Sequence, residues 1–307
     1  MTDTATASNN NGSRVGARDI GRVGMGVAEL ALLDIDRDDA VATIHAALDA
    51  GVRHLDNAAA YTPSVDRPGW CEQLAARAVD SWGGADADDI LVATKGGHHR
   101  VGEGLTPDTF GTDARPDSLR ADIEGSLRAL SRDVIDLYYL HWPDPNVPIE
   151  EVMGVLEVER AAGRIRHIGL SNMTVPMLDA ASSVGRVNAV QNRYSVLHPD
   201  DDVLGWCIDN GATFVAYSPL GGLGDAANLA TRLPDFAEVA TNLGVSAHRL
   251  ALAWLLRRSP TFHAIVGARR AHSIVDSAAA ATVLLDDDLV ARLDASVTRL
   301  NDEEAPR

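Results

Sequence analysis

Short apolar segments alternate with longer segments of helical periodicity along most of this chain. The first apolar segment, 22–27, is followed by 34–51, whose acidic start, helically spaced apolar positions and closing Gly51 predict a helix. Further apolar segments predict strands at 53–56, 90–95, 134–141, 165–170, 187–191, 213–217 and 263–268. Further helices are predicted near 69–82, 116–130, 148–162, 174–184, 201–210, 245–258 and 271–281.

The alternation of eight predicted strands with helices predicts one closed parallel barrel. Such alternation favours a parallel sheet, and segments such as 90–95 read as strands buried on both faces. Eight repeats over about 270 residues match the size of a (β/α)8 TIM barrel. A doubly wound sheet needs a glycine-rich turn after an early strand, and no third glycine follows the GMG segment 24–26 at the required spacing. We therefore predict a single (β/α)8 barrel domain over residues 20–307.

Composition and charge narrow the class of protein. The 307 residues include 27 basic and 44 acidic side chains, a net charge of −17, which disfavours nucleic acid or an anionic membrane as a partner. No apolar segment approaches the ~20 residues that span a bilayer. Residues 1–19 lack the apolar core of a signal peptide and are predicted to form a disordered polar tail. Cys71 and Cys207 are too few for a disulfide framework, so we expect a soluble cytoplasmic protein.

Polar residues occupy the carboxyl ends of the predicted strands, where a barrel of this type carries its active site. One polar residue at such a position is explained by a cap or a turn, but packing does not require a ring of them. The ring comprises Asp56, Lys95, His141, Ser171, Asn172, Gln191, Tyr217, Ser218 and the segment from Gly267 to Arg269. Tyr61 lies in the loop that follows Asp56.

Asp56, Tyr61, Lys95 and His141 together predict a proton-donating site. A free tyrosine has a pKa near ~10 and donates poorly at neutral pH, but a nearby lysine ammonium lowers that pKa. An aspartate beside the lysine limits the cost of burying its charge, and a neighbouring histidine orients the substrate oxygen. Such a group acts as a general acid beside an oxyanion site, and it protonates a carbonyl oxygen while a hydride reaches the carbon.

Seven segments of the chain resemble the aldo-keto reductase superfamily. They are LDNAAAY (55–61), VATKGG (92–97), IDLYYLHWPDP (135–145), IRHIGLSN (165–172), VQNRYS (190–195), VAYSPLGG (215–222) and IVGARR (265–270). The resemblance implies a catalytic tetrad of Asp56, Tyr61, Lys95 and His141, with Tyr61 as the general acid. It also implies NADPH bound across the barrel mouth without a Rossmann fold. Asn57 departs from the family pattern, which usually has threonine beside the tetrad.

The same resemblance implies which residues contact the cofactor. The nicotinamide end is assigned to Ser171, Asn172 and Gln191, which hold the carboxamide, and to Tyr217, which stacks on the ring. The pyrophosphate is assigned to the following loop, at Ser218, Leu220 and Gly222. The residues of that loop favour the same assignment, because backbone N–H groups of a Ser-Pro-Leu-Gly-Gly segment can approach phosphate oxygens.

The adenosine end is expected at the last strand and helix, at Gly267, Asp276 and Ser277. Many NADPH-specific relatives have a basic residue three positions before the acidic residue that contacts adenine, and this chain has Ser273 there. Arg269 is then the candidate for the 2′-phosphate, because a planar guanidinium suits phosphate. Its neighbour Arg270 could assist. The expected cofactor is NADPH, with NADH as the alternative.

His98 and Trp142 are predicted to belong to the substrate pocket. The segment 99–117 is longer than most barrel connections, and its polarity predicts a hydrophilic carbonyl substrate such as a sugar or keto-sugar. His141 favours carbonyl reduction, because relatives that reduce carbon–carbon double bonds have glutamate at this position.

Two other functions share these residues. One is a metal-dependent barrel hydrolase using Asp56, His98, His99 and His141, but adjacent histidines in a glycine-rich loop rarely bind one ion, so we predict no metal site. The other is a non-enzymatic, cofactor-sensing subunit resembling the potassium-channel β subunits, which retain the tetrad.

Overall fold

The protein is described here by a computed structural model, which covers residues 12–222 and 226–304. The strands are β1 (Ser13–Val15), β2 (Arg18–Gly21), β3 (Val23–Gly26), β4 (His54–Asp56), β5 (Leu91–Gly96), β6 (His98–Arg100), β7 (Phe110–Thr112), β8 (Ile135–Leu140), β9 (Ile165–Ser171), β10 (Ala189–Arg193), β11 (Thr213–Tyr217) and β12 (Phe262–Gly267). The helices are α1 (Ala28–Leu32), α2 (Arg37–Asp49), α3 (Trp70–Ser81), α4 (Pro116–Leu130), α5 (Ile149–Ala161), α6 (Val175–Ser182), α7 (Asp201–Asn210), α8 (Leu229–Arg232), α9 (Pro234–Leu243), α10 (Ala247–Leu256), α11 (Ala271–Ala278) and α12 (Asp287–Glu304).

Eight of these strands close into a parallel barrel, in the order β3, β4, β5, β8, β9, β10, β11 and β12. The barrel closes where β12 pairs in parallel with β3, with Ala264 opposite Val23 and Gly267 opposite Gly26. Helices follow the barrel strands and surround them. The predicted (β/α)8 TIM barrel is therefore confirmed, and the carboxyl ends of all eight strands meet at one mouth.

Residues 13–21 form an antiparallel hairpin, β1 with β2, at the amino end of the barrel. Val15 and Ile20 are fully buried there, in the same apolar cluster as Leu91 and Leu137 of the barrel interior. The prediction of a disordered tail is wrong for residues 13–19, because these two apolar side chains fill the end of the barrel once the hairpin has paired. Residues 1–11 of the predicted tail lie outside the described residues.

A second hairpin was not predicted by the sequence pattern. Strands β6 and β7 pair through His98 opposite Thr112 and Arg100 opposite Phe110, within the segment that the sequence presented as a polar loop. Each strand has three residues, too short for an alternating pattern to stand out. The hairpin lies after β5, so it projects from the mouth of the barrel.

Two buried histidines lie inside the barrel. His54 on β4 and His263 on β12 are fully buried, with His54 Nδ1 3.0 Å from His263 Nε2. His263 Nδ1 lies 3.2 Å from the carbonyl oxygen of Gly21. A Cβ atom on Gly24 would lie 2.7 Å from His263 Nε2, so a glycine on β3 leaves room for the pair.

No described helix is both long and apolar enough to cross a bilayer.

Candidate active site

The centre of the barrel mouth holds a buried ion pair. Lys95, at the end of β5, donates from Nζ to Asp56 Oδ2 at 2.5 Å and to the carbonyl oxygen of Asn57 at 2.7 Å. The two charged side chains are 0% and 3% exposed. An ammonium group removed from water needs such partners to offset its desolvation, so the pair is one neutral unit at the ends of adjacent strands.

The remaining oxygen of Asp56 is also occupied. Gln191, on β10 across the barrel, donates from Nε2 to Asp56 Oδ1 at 2.7 Å. Ser171 donates from Oγ to the carbonyl oxygen of Gln191 at 2.7 Å. Gln191, which the sequence assigned to the cofactor alone, therefore also fixes the carboxylate that holds Lys95.

Tyr61 and His141 lie next to this ion pair. The Tyr61 hydroxyl is 3.3 Å from His141 Nε2, and the two rings meet edge to face. Lys95 Nζ lies 5.0 Å from the centroid of the Tyr61 ring, within cation–π range. The structure thus brings together all four residues of the predicted tetrad.

The protonation of these rings differs from the sequence-based expectation. Burial raises the pKa of Tyr61, and the negative charge of Asp56 raises it further. The expected lowering of the Tyr61 pKa is therefore not found in this state, because burial and the charge of Asp56 dominate. Burial lowers the pKa of His141, and the positive charge of Lys95 adds to this effect. At neutral pH the site therefore holds a protonated phenol beside a neutral imidazole.

Asn172 connects His141 to the neighbouring strands. Its Nδ2 donates to the carbonyl oxygen of His141 at 2.9 Å, and its Oδ1 accepts from the Tyr217 hydroxyl at 2.8 Å. Asn172 has a left-handed backbone with φ of 62°, a conformation that costs free energy in residues other than glycine. These hydrogen bonds hold the strained residue and fix the orientation of the Tyr217 ring.

One cavity of about 470 Å³ joins these groups. Its lining includes these predicted site residues: Asp56, Tyr61, His98, His141, Trp142, Ser171, Asn172, Gln191, Tyr217, Ser218, Leu220, Gly222 and Gly267. Lys95 lies behind Asp56 and does not line it. Arg269, Asp276 and Ser277 do not line it either.

The loop after β11 gives this cavity a concave wall. Ser218, Gly221 and Gly222 all have left-handed backbones, with φ of 51°, 92° and 85°, and Gly221 N donates to Ser218 O at 2.8 Å. Opposite this loop, Gly26 and Gly267 line the cavity without side chains. This shape fits the backbone-lined groove that a dinucleotide pyrophosphate needs.

The residues assigned to the adenosine end already have partners. Asp276 accepts from Arg249 Nη2 at 2.6 Å and from Ser246 Oγ at 2.5 Å, and Ser277 is buried. Arg269 is more than half exposed, and its Nε lies 3.7 Å from Glu29 Oε2. Their contacts with a cofactor stay predictions.

Glu29 is a cavity residue that the sequence analysis missed. It lies on α1 and lines the cavity, and a Cβ atom on Gly267 would come within 2.6 Å of its Oε1. Burial raises its pKa, while Arg269 lowers it. Only the barrel closure between β3 and β12 brings these residues together, so no local pattern could have indicated Glu29.

The two adjacent histidines of the glycine-rich loop face different partners. The His98 ring stacks on Phe110, with centroids 5.4 Å apart, whereas His99 Nε2 lies 2.9 Å from Asp122. Burial and the charge of His99 lower the pKa of His98 to about 4, and the hydrogen bond with Asp122 raises that of His99. Phe110 is a second cavity residue that the sequence analysis missed, and the segment 99–117 contains no other phenylalanine, tyrosine or tryptophan.

Asn57, the departure from the family pattern, leaves the tetrad intact. Its side chain donates to the carbonyl oxygen of Ala93 at 3.3 Å and accepts from Cys71 Sγ at 3.3 Å. Only its backbone oxygen contacts Lys95. The substitution therefore changes the support behind the site rather than the groups that face the cavity.

The sequence matches the family model of the aldo/keto reductase family over residues 22–298. It is 29% identical over 293 residues to the pyridoxine 4-dehydrogenase of Escherichia coli, in an alignment that covers 91% of this chain and 96% of that protein. The solved glycerol dehydrogenase of Gluconobacter oxydans superposes with a TM-score of 0.80 at 25% identity and covers 97% of each chain. An aldo/keto reductase of Klebsiella pneumoniae in complex with NADP and acetate has a TM-score of 0.74 at 26% identity, over 90% of this chain and 91% of that one.

Proposed function

The chain belongs to the aldo/keto reductase family, and from this premise we propose that it is an NADPH-dependent oxidoreductase that reduces an aldehyde or a ketone to an alcohol. One observation carries the proposal: the Tyr61 hydroxyl lies 3.3 Å from His141 Nε2 and beside a buried Lys95–Asp56 pair, at one end of a cavity with a backbone-lined wall. This arrangement provides a proton donor and a place for a carbonyl oxygen next to a groove for a dinucleotide.

Tyr61 is the proposed general acid. When NADPH is bound, its nicotinamide supplies the hydride that the carbonyl carbon receives. Tyr61 gives its hydroxyl proton to the carbonyl oxygen, so the C=O double bond becomes a C–O single bond with one hydrogen added at each atom. A raised pKa keeps this hydroxyl protonated before the reaction.

Lys95 supports the loss of this proton. As Tyr61 becomes a phenolate, negative charge develops near the ammonium that lies 5.0 Å from its ring centroid. Preorganised charges of this kind stabilise the transition state without reorganisation. Asp56, held by Gln191 at its other oxygen, keeps the ammonium in place.

His141 is the proposed orienting group. Its neutral ring places one nitrogen, Nε2, beside the Tyr61 hydroxyl, where a carbonyl oxygen would lie between the two. The ring position is fixed because Asn172 binds the backbone oxygen of His141. A neutral imidazole donates a hydrogen bond without competing with Tyr61 to deliver the proton.

The cofactor would lie along the strand ends from Tyr217 to the loop 218–222. Tyr217 offers the face of a ring whose hydroxyl is tied to Asn172, and Ser218 and Gly222 offer backbone groups to phosphate oxygens. We assign the 2′-phosphate to Arg269, whose present neighbour Glu29 is 3.7 Å away. This ion pair is half exposed and weak, so Arg269 can turn to a phosphate at small cost.

The decisive experiment compares Tyr61→Phe with Tyr138→Phe. Tyr61→Phe removes the proton donor and little volume, so we expect NADPH to quench tryptophan fluorescence normally while kcat for carbonyl reduction falls by about 100-fold or more. Tyr138 is the matched control: it is also buried, but its hydroxyl has no hydrogen-bond partner among the described residues. Near-normal kcat in Tyr61→Phe would reject Tyr61 as the acid, and a protein that binds no NADPH would reject the proposed function.

A further inference from the structure

The substrate end of the cavity is formed by aromatic rings. His98 stands at the centre of this wall: it stacks on Phe110, meets His141 edge to face at 5.1 Å between centroids, and lies 6.1 Å from Trp142. Tyr61 meets His141 from the other side. A carbonyl group held by Tyr61 and His141 therefore has ring faces and edges around the remainder of its molecule.

The hairpin that carries two of these rings is anchored. His99 Nε2 and the backbone nitrogen of Gly97 both bind Asp122, at 2.9 and 2.8 Å. Arg100 donates to the carbonyl oxygen of Thr62 at 2.6 Å and its side chain is 4% exposed. These contacts fix β6, and β7 is held against it by the strand pairing that places Phe110 opposite Arg100.

The lining of this cavity carries no lysine or arginine among residues 12–222 and 226–300. The nearest cationic side chain of the hairpin, Arg100, is bound to backbone oxygens and does not line the cavity. Two acidic residues do line it, Asp56, which is paired with Lys95, and Glu29. An anionic substrate would leave water without gaining a counter-charge, so its binding is disfavoured.

The polar part of the segment 99–117 faces away from the cavity. Of its residues, Phe110 alone lines the cavity among the described positions. The polarity that predicted a sugar substrate therefore does not reach the substrate. Tyr61 and His141 are committed to the carbonyl oxygen, so most hydroxyls of a sugar would face ring carbons and lose their hydrogen bonds to water.

We propose that this site selects neutral aromatic aldehydes and rejects anionic carbonyl compounds, with Phe110 and His98 of the β6–β7 hairpin as the specificity-determining residues. The inference rests on the proposed carbonyl reduction and adds the substrate class to it. Aromatic rings prefer stacked or edge-to-face neighbours, and Trp142, which is 41% exposed at the cavity mouth, would be covered by such a substrate.

Two matched pairs of substrates test the proposal with the unmodified protein and NADPH. Benzaldehyde is compared with cyclohexanecarbaldehyde by KM, because conjugation lowers the intrinsic reactivity of the aromatic aldehyde. We expect its KM to be about threefold to tenfold lower, the range of an aromatic pair. 4-Carboxybenzaldehyde is compared with its methyl ester, which has the same ring without the charge, and we expect kcat/KM for the ester to be at least about 100-fold higher.

Variants of the β6–β7 hairpin test whether its rings cause the preference for aromatic aldehydes. Phe110→Leu should raise KM for benzaldehyde about threefold to tenfold and remove its advantage over cyclohexanecarbaldehyde. His98→Phe, which keeps a ring, should retain that advantage. Val101→Thr is the control, because Val101 lies next to the same hairpin but is 63% exposed and does not line the cavity.

Each outcome bears on one claim. If 4-carboxybenzaldehyde or glyceraldehyde is reduced as efficiently as the neutral aromatic aldehydes, or if Phe110→Leu leaves the KM ratio unchanged, the aromatic selectivity is rejected and carbonyl reduction stands. If the protein binds NADPH and reduces none of these compounds, the proposed function itself is overturned.

Discussion

Protonation of the His54–His263 pair should make this protein sensitive to mild acid. The two rings are fully buried between β4 and β12, and burial lowers the pKa of His54 to about 3 and lowers that of His263. An unfolded histidine has a pKa near ~6.5. Between those values the unfolded chain binds protons that the folded chain does not, so stability falls as the pH falls.

Burial is the main reason why neither ring takes up a proton, and the hydrogen bonds indicate which nitrogens carry hydrogen. His263 Nδ1 faces the carbonyl oxygen of Gly21 and therefore carries the hydrogen, so its Nε2 accepts from His54 Nδ1. His54 Nε2 is then a buried acceptor without a partner among the described residues. A proton added to His54 would place a second positive charge near Lys95, whose charge already lowers the pKa of His54.

The size of the effect follows from linkage. At pH 5 each neutral histidine lowers the free energy of unfolding by about 2 kcal/mol relative to neutral pH, so the pair contributes about 4 kcal/mol. Single domains have total stabilities of about 5–15 kcal/mol, so this loss is large. Over the range from pH 6 to pH 4.5 the pair accounts for a slope of about 2.7 kcal/mol per pH unit.

The assay is denaturant unfolding, followed by tryptophan fluorescence at several pH values. The double variant His54→Gln/His263→Gln should lose most of this slope whatever its absolute stability, because glutamine does not titrate. The control is His272→Gln, since His272 is exposed on α11 and is solvated in both states. Parallel curves for the double variant and the unmodified protein would refute the reasoning.

Two further predictions concern cofactor and proton transfer. Arg269→Ala should weaken NADPH binding about 10-fold to 100-fold, the value of a lost charged hydrogen bond, and should leave NADH binding nearly unchanged; equal losses in a fluorescence titration would place the 2′-phosphate contact elsewhere. The single-turnover rate of carbonyl reduction should be flat from about pH 6 to pH 9, because the pKa of Tyr61 is raised and that of His141 is lowered. An apparent pKa inside this range would show that the bound state lowers the pKa of Tyr61.

The barrel and the positions of the four predicted tetrad residues were within reach of the sequence because both follow from local patterns. Buried parallel strands such as Leu91–Gly96 begin with an apolar run and are buried throughout. The candidate functional groups lie at strand ends, so the strand positions also located Asp56, Lys95 and His141. The other properties of the site depend on contacts between residues far apart in the sequence. The direction of the Tyr61 pKa depends on burial and on the charge of Asp56, and residue spacing shows neither the depth of burial nor the strength of that charge.

Elements without a local signature were missed. The hairpin β1–β2 is polar in sequence, and its contacts with the barrel, such as those of Val15 and Ile20 with the interior, hold it in place. Phe110 reaches the cavity because β7 folds back on β6, and Glu29 does so because β12 closes on β3. In each case the decisive contact joins residues that only the closed fold brings together.

The position of the β1–β2 hairpin at the amino end of the barrel has a consequence for folding during translation. Ser13 Oγ binds the carbonyl oxygen of Phe262, 249 positions away, so the hairpin is made long before its receptor exists. At a translation rate of ~5–20 residues per second, the hairpin waits about 12 to 50 s for β12 to be made. Throughout that time Val15 and Ile20 have no complete barrel interior in which to be buried. A fusion partner placed directly before Ser13 would therefore be expected to slow the step in which the β1–β2 hairpin packs into the end of the barrel.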